Sequence, residues 1–215
     1  MNLDQAARLR QGIYRLFALG FSYPNPELIE TASGALAALD DQGLFEFSFA
    51  LDVAEAIDTV ASAKLEELEV SYIALFEAGV GGAACSPHES AHRADPRLGE
   101  VAEIQSEIRR TYLRLGLSVE GMSPDMVDHI TVELDVMALL CQREAEAWTR
   151  DPGRAIRHQL ELLEDHLLRW APDFAARLVS ASHHPAYTSL AVALDAFLGH
   201  ERQWVPRLLE MARSG

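Results

Sequence analysis

The feature that most constrains this chain is a run of more than twenty residues, from Pro124 to Glu146, with no glycine or proline after its first residue. Apolar residues recur in it at spacings of four, three and four, the pattern of a helix buried along one face: Ile130, Leu134, Met137 and Cys141. A second apolar strip predicts cover on two sides of this helix: Val132, Val136, Leu139 and Leu140. A helix of this kind has to lie at the centre of its fold.

Helical spacing fills most of the remaining sequence, and no run of period-two alternation bounded by turns predicts a strand. The pattern predicts further helices over about 3–20, 26–40, 44–60, 63–76, 101–115 and 153–170, a short one starting at Pro172, and two more over 186–198 and 201–212. There is no repeat, low-complexity tract or linker between two halves. Residues 1–215 are therefore interpreted as a single all-α globular domain of nine or ten helices.

Charge and hydropathy exclude two classes of partner. The chain has 33 acidic residues against 18 lysines and arginines, a net charge of −15, and such a surface repels nucleic acid. It favours a cationic or mixed cationic and apolar partner instead. No apolar run is long enough to span a bilayer, and Arg10, Gln11 and Arg15 interrupt the N-terminal apolar residues, so neither membrane insertion nor a signal peptide is expected. We expect a cytoplasmic protein.

The segment from about 77 to 98 has almost no periodicity and is rich in glycine and proline. A loop of this length in a compact domain is uncommon and is often functional, so we predict a functional loop here. It contains His88-Glu89-x-x-His92, the pattern in which two imidazoles one helical turn apart bind zinc beside a general-base glutamate. The alternative function is therefore a zinc-dependent hydrolase. Pro87 and Pro96 oppose it, because at most one and a half helical turns fit between them.

Asp128, His129 and Glu133 form a second constellation, at the predicted entrance of the central helix. On a helix His129 and Glu133 are neighbours at i and i+4, and Asp128 complements the helix dipole. The structural interpretation is an N-terminal cap with an ion pair. An acid–base pair for catalysis would need a nucleophile or cofactor site that the sequence does not display.

Three large apolar residues, Tyr72, Leu75 and Phe76, end the fourth predicted helix and lead into the loop. Such a stripe is usually part of a core. Beside a loop it could instead line an apolar groove that receives a helix or an extended segment of a partner. A purely structural helical adaptor is a third interpretation of the chain.

Taken together, these stretches resemble the TorD/DmsD family, the cytoplasmic maturation chaperones of bacterial molybdenum oxidoreductases. The most specific likeness is the run Asp128-His129-Ile130-x-x-Glu133-Leu134-x-x-Met137, and Tyr72 to Phe76 and Pro87 to Ser90 agree with it in order and spacing. Segments of the C-terminal half also fit: Asp165 to Leu167, Trp170 to Phe174, and His184 to Tyr187. The chain departs from the family's pattern at His88 and His92.

The resemblance implies an all-helical, non-enzymatic chaperone that needs no cofactor. Such proteins bind the twin-arginine signal peptide and the apo catalytic subunit of a molybdoenzyme, and hold it until its molybdenum cofactor is inserted. The family leaves open whether this chain is a monomer or a dimer that exchanges helices. The residues that the resemblance assigns to the peptide-binding site are Tyr72, Leu75, Phe76, Pro87, His88, Glu89, Ser90, Asp128, His129 and Glu133.

Overall fold

The protein is all-α in the parts of the chain that its structure, a computed structural model, describes: residues 2–77, 82–93, 100–123, 126–148 and 150–214. These parts contain ten α-helices and no strand beyond isolated bridges. The helices are α1 (Leu3–Gly20), α2 (Pro26–Asp40), α3 (Ala50–Ala61), α4 (Leu65–Phe76), α5 (Glu89–Arg93), α6 (Val101–Arg114), α7 (Ile130–Ala147), α8 (Gly153–Leu162), α9 (Leu168–Ala181) and α10 (Pro185–Ser214). The all-α expectation is confirmed.

Local sequence explains where the first two helices begin. The Asn2 side chain accepts a hydrogen bond from the Gln5 N–H at 2.8 Å, and Asn25 accepts one from the Leu28 N–H at 3.0 Å. Pro26 occupies the first turn of α2, where its missing N–H leaves no helical bond unmade. Gly20 is the last residue of α1 and lets α10 approach closely. A Cβ at this position would lie only 2.9 Å from Leu190 Cδ2.

Helix α7 is central, as its sequence predicts. Ile130, Leu134, Met137 and Cys141 are all without exposed surface, and α1 packs along this helix. The second strip is less completely covered, with Val132, Val136 and Leu139 half-buried. The core that surrounds α7 draws its apolar residues from Leu9 through to Leu209.

A polar network crosses this core and joins four helices. The buried Arg10 guanidinium of α1 donates to Glu144 of α7 at 2.7 Å, to Glu201 of α10 at 2.7 Å and to Gln159 of α8 at 2.5 Å. Tyr14 O–H adds a bond to Glu201 at 2.9 Å. Each buried charge therefore has an opposite charge within hydrogen-bond distance, which is what makes its burial tolerable.

Two predicted helix starts were wrong. Helix α7 begins at Ile130, whereas the pattern predicted a start after the turn signal at 123–125, with Asp128 and His129 in the first turn. The backbone at 128–130 bonds instead to the loop before α5. Residues 124 and 125 lie outside the described parts. The third predicted helix, over 44–60, is a 3₁₀ turn, Leu44–Glu46, followed by α3. Between them Phe47 is extended, and its ring stacks on Phe49 at 5.1 Å.

Two predicted breaks between helices were also wrong. Pro172 lies inside α9, which a π-helical turn, Leu163–Leu167, joins to α8 without interruption. Similarly, α10 runs as one helix across residues 199 and 200, where the pattern predicted a break between 186–198 and 201–212, and it also continues through Pro206. Burial of the flanking residues Trp170, Phe174, Val205 and Leu208 offsets the lost backbone hydrogen bond.

Across the described ranges, no helix combines the length and the apolar character needed to cross a bilayer.

Replacing Arg10 by methionine tests the importance of the polar network. The substitution leaves Glu144 and Glu201 buried without their cation, so we expect the free energy of unfolding to fall by about 3–5 kcal/mol. Urea denaturation followed by circular dichroism measures the change. The matched control is Arg8→Met in the same helix, where the exposed ion pair with Asp4 should contribute less than about 1 kcal/mol. Equal losses in the two variants would contradict the role given to Arg10.

Candidate functional site

The loop before α5, the start of α7 and the end of α4 meet at one place. The Glu89 N–H donates to the Asp128 carbonyl at 2.8 Å, and the Ile130 N–H donates to the Pro87 carbonyl at 2.9 Å. His88 and His129 face each other across this antiparallel bridge, with ring centroids 4.9 Å apart. The Cys85 N–H donates to the Leu75 carbonyl at 2.8 Å, which ties the same loop to α4. Three stretches that the sequence singled out separately are therefore brought together.

His129 is the N-cap of α7, so the predicted cap is confirmed. Its Nδ1 accepts hydrogen bonds from the Thr131 hydroxyl at 2.7 Å and the Thr131 N–H at 3.3 Å. Burial, followed by the field of His88, lowers the pKa of His129 to about 4, although Asp128 opposes the shift. The ring is therefore neutral near neutral pH, with its hydrogen on Nε2. The predicted ion pair with Glu133 does not occur among the described contacts of His129.

Asp128 lies before α7 rather than in its first turn, and its side chain is 0% exposed. The carboxylate accepts hydrogen bonds from the Ser90 N–H at 3.1 Å and from Gln105 at 3.3 Å, with His88 Nδ1 3.6 Å away. Burial alone would raise the pKa of Asp128, but the bonds from His88 and Ser90 together lower it below its usual value. Asp128 is therefore a buried anion that holds the loop and His88 in place. In this conformation it does not meet solvent.

Glu133 is the opposite case. Burial raises the pKa of Glu133 well above its usual range, and the nearby Glu89 carboxylate adds to the rise. The Trp170 N–H, which donates to Glu133 Oε2 at 3.2 Å, opposes it. Within the described parts, Glu133 Oε1 and the Tyr112 hydroxyl are buried without a hydrogen-bond partner. Asp128 and Glu133, five residues apart in sequence, thus differ in charge because their surroundings differ.

Glu89 is a structural anion at the base of the loop. It is fully buried, accepts a hydrogen bond from His166 Nδ1 at 3.0 Å and forms an ion pair with Arg93. His166 is in turn bonded through Nε2 to the Thr111 hydroxyl at 3.0 Å. This chain of bonds fixes α5 against α6 and the π-helical turn, so the described part of the loop is anchored from below.

The His88-Glu89-x-x-His92 motif does not fit a zinc site. Helix α5 spans five residues, and the His92 ring uses both nitrogens within the protein, Nε2 with the Ser86 carbonyl at 2.8 Å and Nδ1 with Asp173 at 3.1 Å. Both ring nitrogens are therefore engaged by protein groups on different sides of the ring rather than directed at a common metal position. His88 points towards Asp128, and Glu89 is engaged with His166 and Arg93.

The predicted wall residues Tyr72, Leu75 and Phe76 are buried, as are Pro87, Glu89 and Ser90. Phe76 packs edge-on against Tyr187 at 5.5 Å, and Tyr72 contacts the half-exposed ring of Tyr23 at 5.3 Å. The peptide-binding role assigned to these residues stays a prediction. Of the predicted set, His88 has the most accessible side chain, 30% exposed.

Sequence reasoning missed several residues that build this site. Arg93, Gln105 and His166 supply hydrogen bonds to Glu89 or Asp128, and Tyr23 was interpreted only as part of a turn. His166 falls within a stretch that the family resemblance identified. The others had no spacing signal, since each acts across elements that are distant in sequence.

Glu133→Gln tests the assignment of a neutral Glu133. Between the ordinary pKa of glutamic acid and the raised pKa, the folded chain holds a proton that the unfolded chain has released. Wild-type stability therefore falls as pH rises through this range. Glutamine is neutral throughout, so we expect its stability advantage over wild type to be larger at about pH 8 than at about pH 5. Urea denaturation at both values measures the difference.

The control for this prediction is Glu146→Gln, on the exposed side of the same helix. Its stability should change with pH in parallel with that of the wild type. If Glu133→Gln also runs parallel to wild type, Glu133 is ionised in the folded protein and the assignment is wrong.

Comparison with known proteins identifies the family. Residues 41–176 match the family described as nitrate reductase delta subunit. The chain is 30% identical to the selenate reductase assembly chaperone protein of Thauera selenatis, over 97% of this chain and 97% of that protein. It is 34% identical to the chaperone protein TorD of Aeromonas salmonicida, over 54% of this chain and 51% of that protein.

The fold is shared with a solved structure. A crystal structure from Archaeoglobus fulgidus, of a protein described as a redox-enzyme maturation protein, aligns with a TM-score of 0.56 and 23% identity, over 93% of this chain and 95% of that chain. At this identity the likeness concerns the fold, and it agrees with the all-helical architecture. From the family match and the full-length similarity, the chain belongs to the TorD/DmsD family of redox-enzyme maturation chaperones, which the nitrate reductase delta subunit model represents.

Proposed function

We propose that this protein is a cytoplasmic, non-enzymatic chaperone of a molybdopterin oxidoreductase. It binds the twin-arginine signal peptide and the apo catalytic subunit, and it holds the subunit until the molybdenum cofactor is inserted. The family membership and the assembly-chaperone name of the Thauera selenatis relative support the chaperone role. The geometry around the loop, α4 and α7 supports the peptide-binding role.

The observation that most strongly supports a leader-binding surface is the outward face of α4. Glu66, Val70, Ile73 and Glu77 follow one another at helical spacing along this face, and all four are exposed. Val70 is 69% exposed and Ile73 46% exposed, high values for side chains of this type. A twin-arginine leader combines a cationic head with an apolar stretch, and this face offers acidic ends around an apolar centre.

Tyr23 extends this surface from the turn after α1. Its ring is 48% exposed and rests edge-on against Tyr72 on α4. The inward-facing residues Tyr72, Leu75 and Phe76 therefore support the surface from within, while Tyr23, Val70 and Ile73 present apolar area to a ligand. Burial of apolar area supplies most of the affinity, at about 25 cal/mol per Å² before ordering costs are deducted.

The two histidines at the bridge supply polar recognition. His129 Nδ1 is occupied by Thr131, whereas Nε2, which carries the hydrogen, has no hydrogen-bond partner among the described residues. It is therefore available as a donor for a peptide carbonyl. His88 lies above the buried Asp128 anion, so Asp128 acts through His88 and the loop rather than by direct contact.

Long-range electrostatics favour encounter with such a leader. The net charge of −15 attracts a cationic segment from a distance, and this attraction raises the association rate more than it raises the final affinity. Arginine side chains of the leader and the exposed carboxylates of α4 are complementary. Leader binding should therefore weaken as ionic strength rises.

A double substitution on α4 tests the proposal. In Val70→Ser/Ile73→Ser, two exposed apolar side chains are replaced without opening a cavity in the core, so the fold should persist. The lost apolar contact should weaken binding of a twin-arginine leader peptide about tenfold. Isothermal titration calorimetry on the full chain measures the dissociation constant.

The matched control is Leu113→Ser/Val192→Ser, which removes two exposed apolar side chains from α6 and α10. This variant should bind the leader as wild type does. A leader with both arginines replaced by glutamine should bind less tightly to every variant. Equal binding by the α4 variant and the wild type would place the leader elsewhere, and indifference to the arginines would favour a general helical adaptor.

A further inference from the structure

A cationic pocket lies between α6, α7 and α8, on residues that the proposed leader site does not use. Its volume is about 380 Å³, and it is lined by Leu115, Gly116, Arg143, Ala147, Asp151, Arg154, Ala155 and His158. Arg157 flanks it, with Nη1 3.3 Å from where a Cβ on Gly153 would lie. From this arrangement we propose that the pocket binds an oxyanion of the phosphate class.

The arginines of this pocket are not neutralised by the protein. In the described parts of the chain, no carboxylate lies within ion-pair distance of Arg143, Arg154 or Arg157. Arg143 donates instead to the Leu115 carbonyl at 2.9 Å, a bond that fixes its guanidinium at the pocket wall. Asp151 lines the pocket too, but its Oδ1 accepts the Gly153 N–H at 3.0 Å. The two lining guanidinium groups of Arg143 and Arg154 outnumber the one lining carboxylate, and the flanking Arg157 adds to this excess of positive charge in a chain whose net charge is −15.

His158 responds to this excess of positive charge. Burial, then the field of Arg154, lowers the pKa of His158, and Arg143 and Arg157 add to the shift. Glu161 acts the other way, but its carboxylate is already bound by Arg114 at 2.6 Å. An anion in the pocket would reverse this field, so His158 offers a direct local probe of occupancy.

The backbone at the pocket suits an oxyanion for a second reason. Helix α8 begins at Gly153, whose N–H already donates to Asp151 Oδ1, and the remaining N–H groups of its first turn add partial positive charge at the end of the helix that carries Arg154 and Arg157. Guanidinium groups bind phosphate oxygens in a planar, two-point manner that lysine cannot reproduce. The pocket volume falls in the lower part of the range for small-molecule sites. A phosphate or a phosphorylated small molecule therefore fits its chemistry.

The proposal is tested by titrating the full chain with inorganic phosphate and, separately, with pyrophosphate. The control titration uses chloride at the same ionic strength. Nuclear magnetic resonance of the His158 ring should show a rise in its pKa with phosphate but not with chloride. In Arg154→Gln/Arg157→Gln, where both side chains are exposed, the phosphate affinity should fall about tenfold. The control Arg202→Gln/Arg213→Gln removes the same charge from α10, outside the pocket, and should bind phosphate as wild type does.

Three outcomes would overturn the proposal: a His158 ring that does not respond to phosphate beyond chloride, equal weakening in the α10 control, or binding of a short polyglutamate peptide without binding of phosphate. The wild-type titration stands by itself if the double variant fails to fold. Binding of the twin-arginine leader should be unaffected by Arg154→Gln/Arg157→Gln, because this site does not depend on the leader surface. Failure here therefore leaves the proposed chaperone function untouched.

Discussion

The burial of the Arg10 guanidinium is the constraint on which the fold depends most. An isolated charge in the core would be strongly unfavourable, so the helices have to deliver their carboxylates to it. Glu144 and Glu201 do so from α7 and α10, and Gln159 of α8 adds its amide oxygen as a third acceptor. Apolar packing could tolerate small shifts of these helices along one another. The directional bonds of the guanidinium cannot, so they fix how α1, α7, α8 and α10 are placed.

Buried acids also determine the structure at the N-terminal end of α7. There the buried acids hold a loop rather than a helix bundle. Glu89 anchors the loop from below through His166 and Arg93, and Asp128 fixes its backbone at Ser90. Glu133, crowded by these two anions, holds a proton instead of a third charge. His88, 30% exposed, is consequently held on a rigid base with the buried His129 beside it. For the proposed peptide ligand, such a base lowers the ordering cost of binding.

The sequence predicts the helices well where one face is continuously apolar, and α7 is the clearest case. It fails at boundaries decided by contacts across the fold. The start of α7 depends on the Pro87 carbonyl, and the continuity of α9 through Pro172 and of α10 across residues 199 and 200 depends on burial of their neighbours. In the candidate site, too, the sequence identified residues with helical spacing but not the contacts that those residues make across the fold. Periodicity identified Tyr72, Leu75 and Phe76 but left open whether they join the core or line a groove, and Arg10 was noticed only as an interruption of an apolar segment.

The zinc motif illustrates why residue pattern is weaker than geometry. His88, Glu89 and His92 have the spacing of a metallopeptidase, yet each is bound to a different partner: Asp128, His166 and Asp173. His88 lies in the bridge before α5, which begins at Glu89, so the two imidazoles do not share one helical face. The family resemblance, by contrast, depended on several stretches in a fixed order, and full-length similarity supports it.

Hydrogen–deuterium exchange of the full chain, with and without a twin-arginine leader peptide, tests the central claim most directly. The account predicts slower exchange in the backbone of 70–77, 84–90 and 126–131 when the leader is bound, and a smaller effect when both arginines are replaced. Slower exchange confined to other helices, or no change with the intact leader, would contradict it.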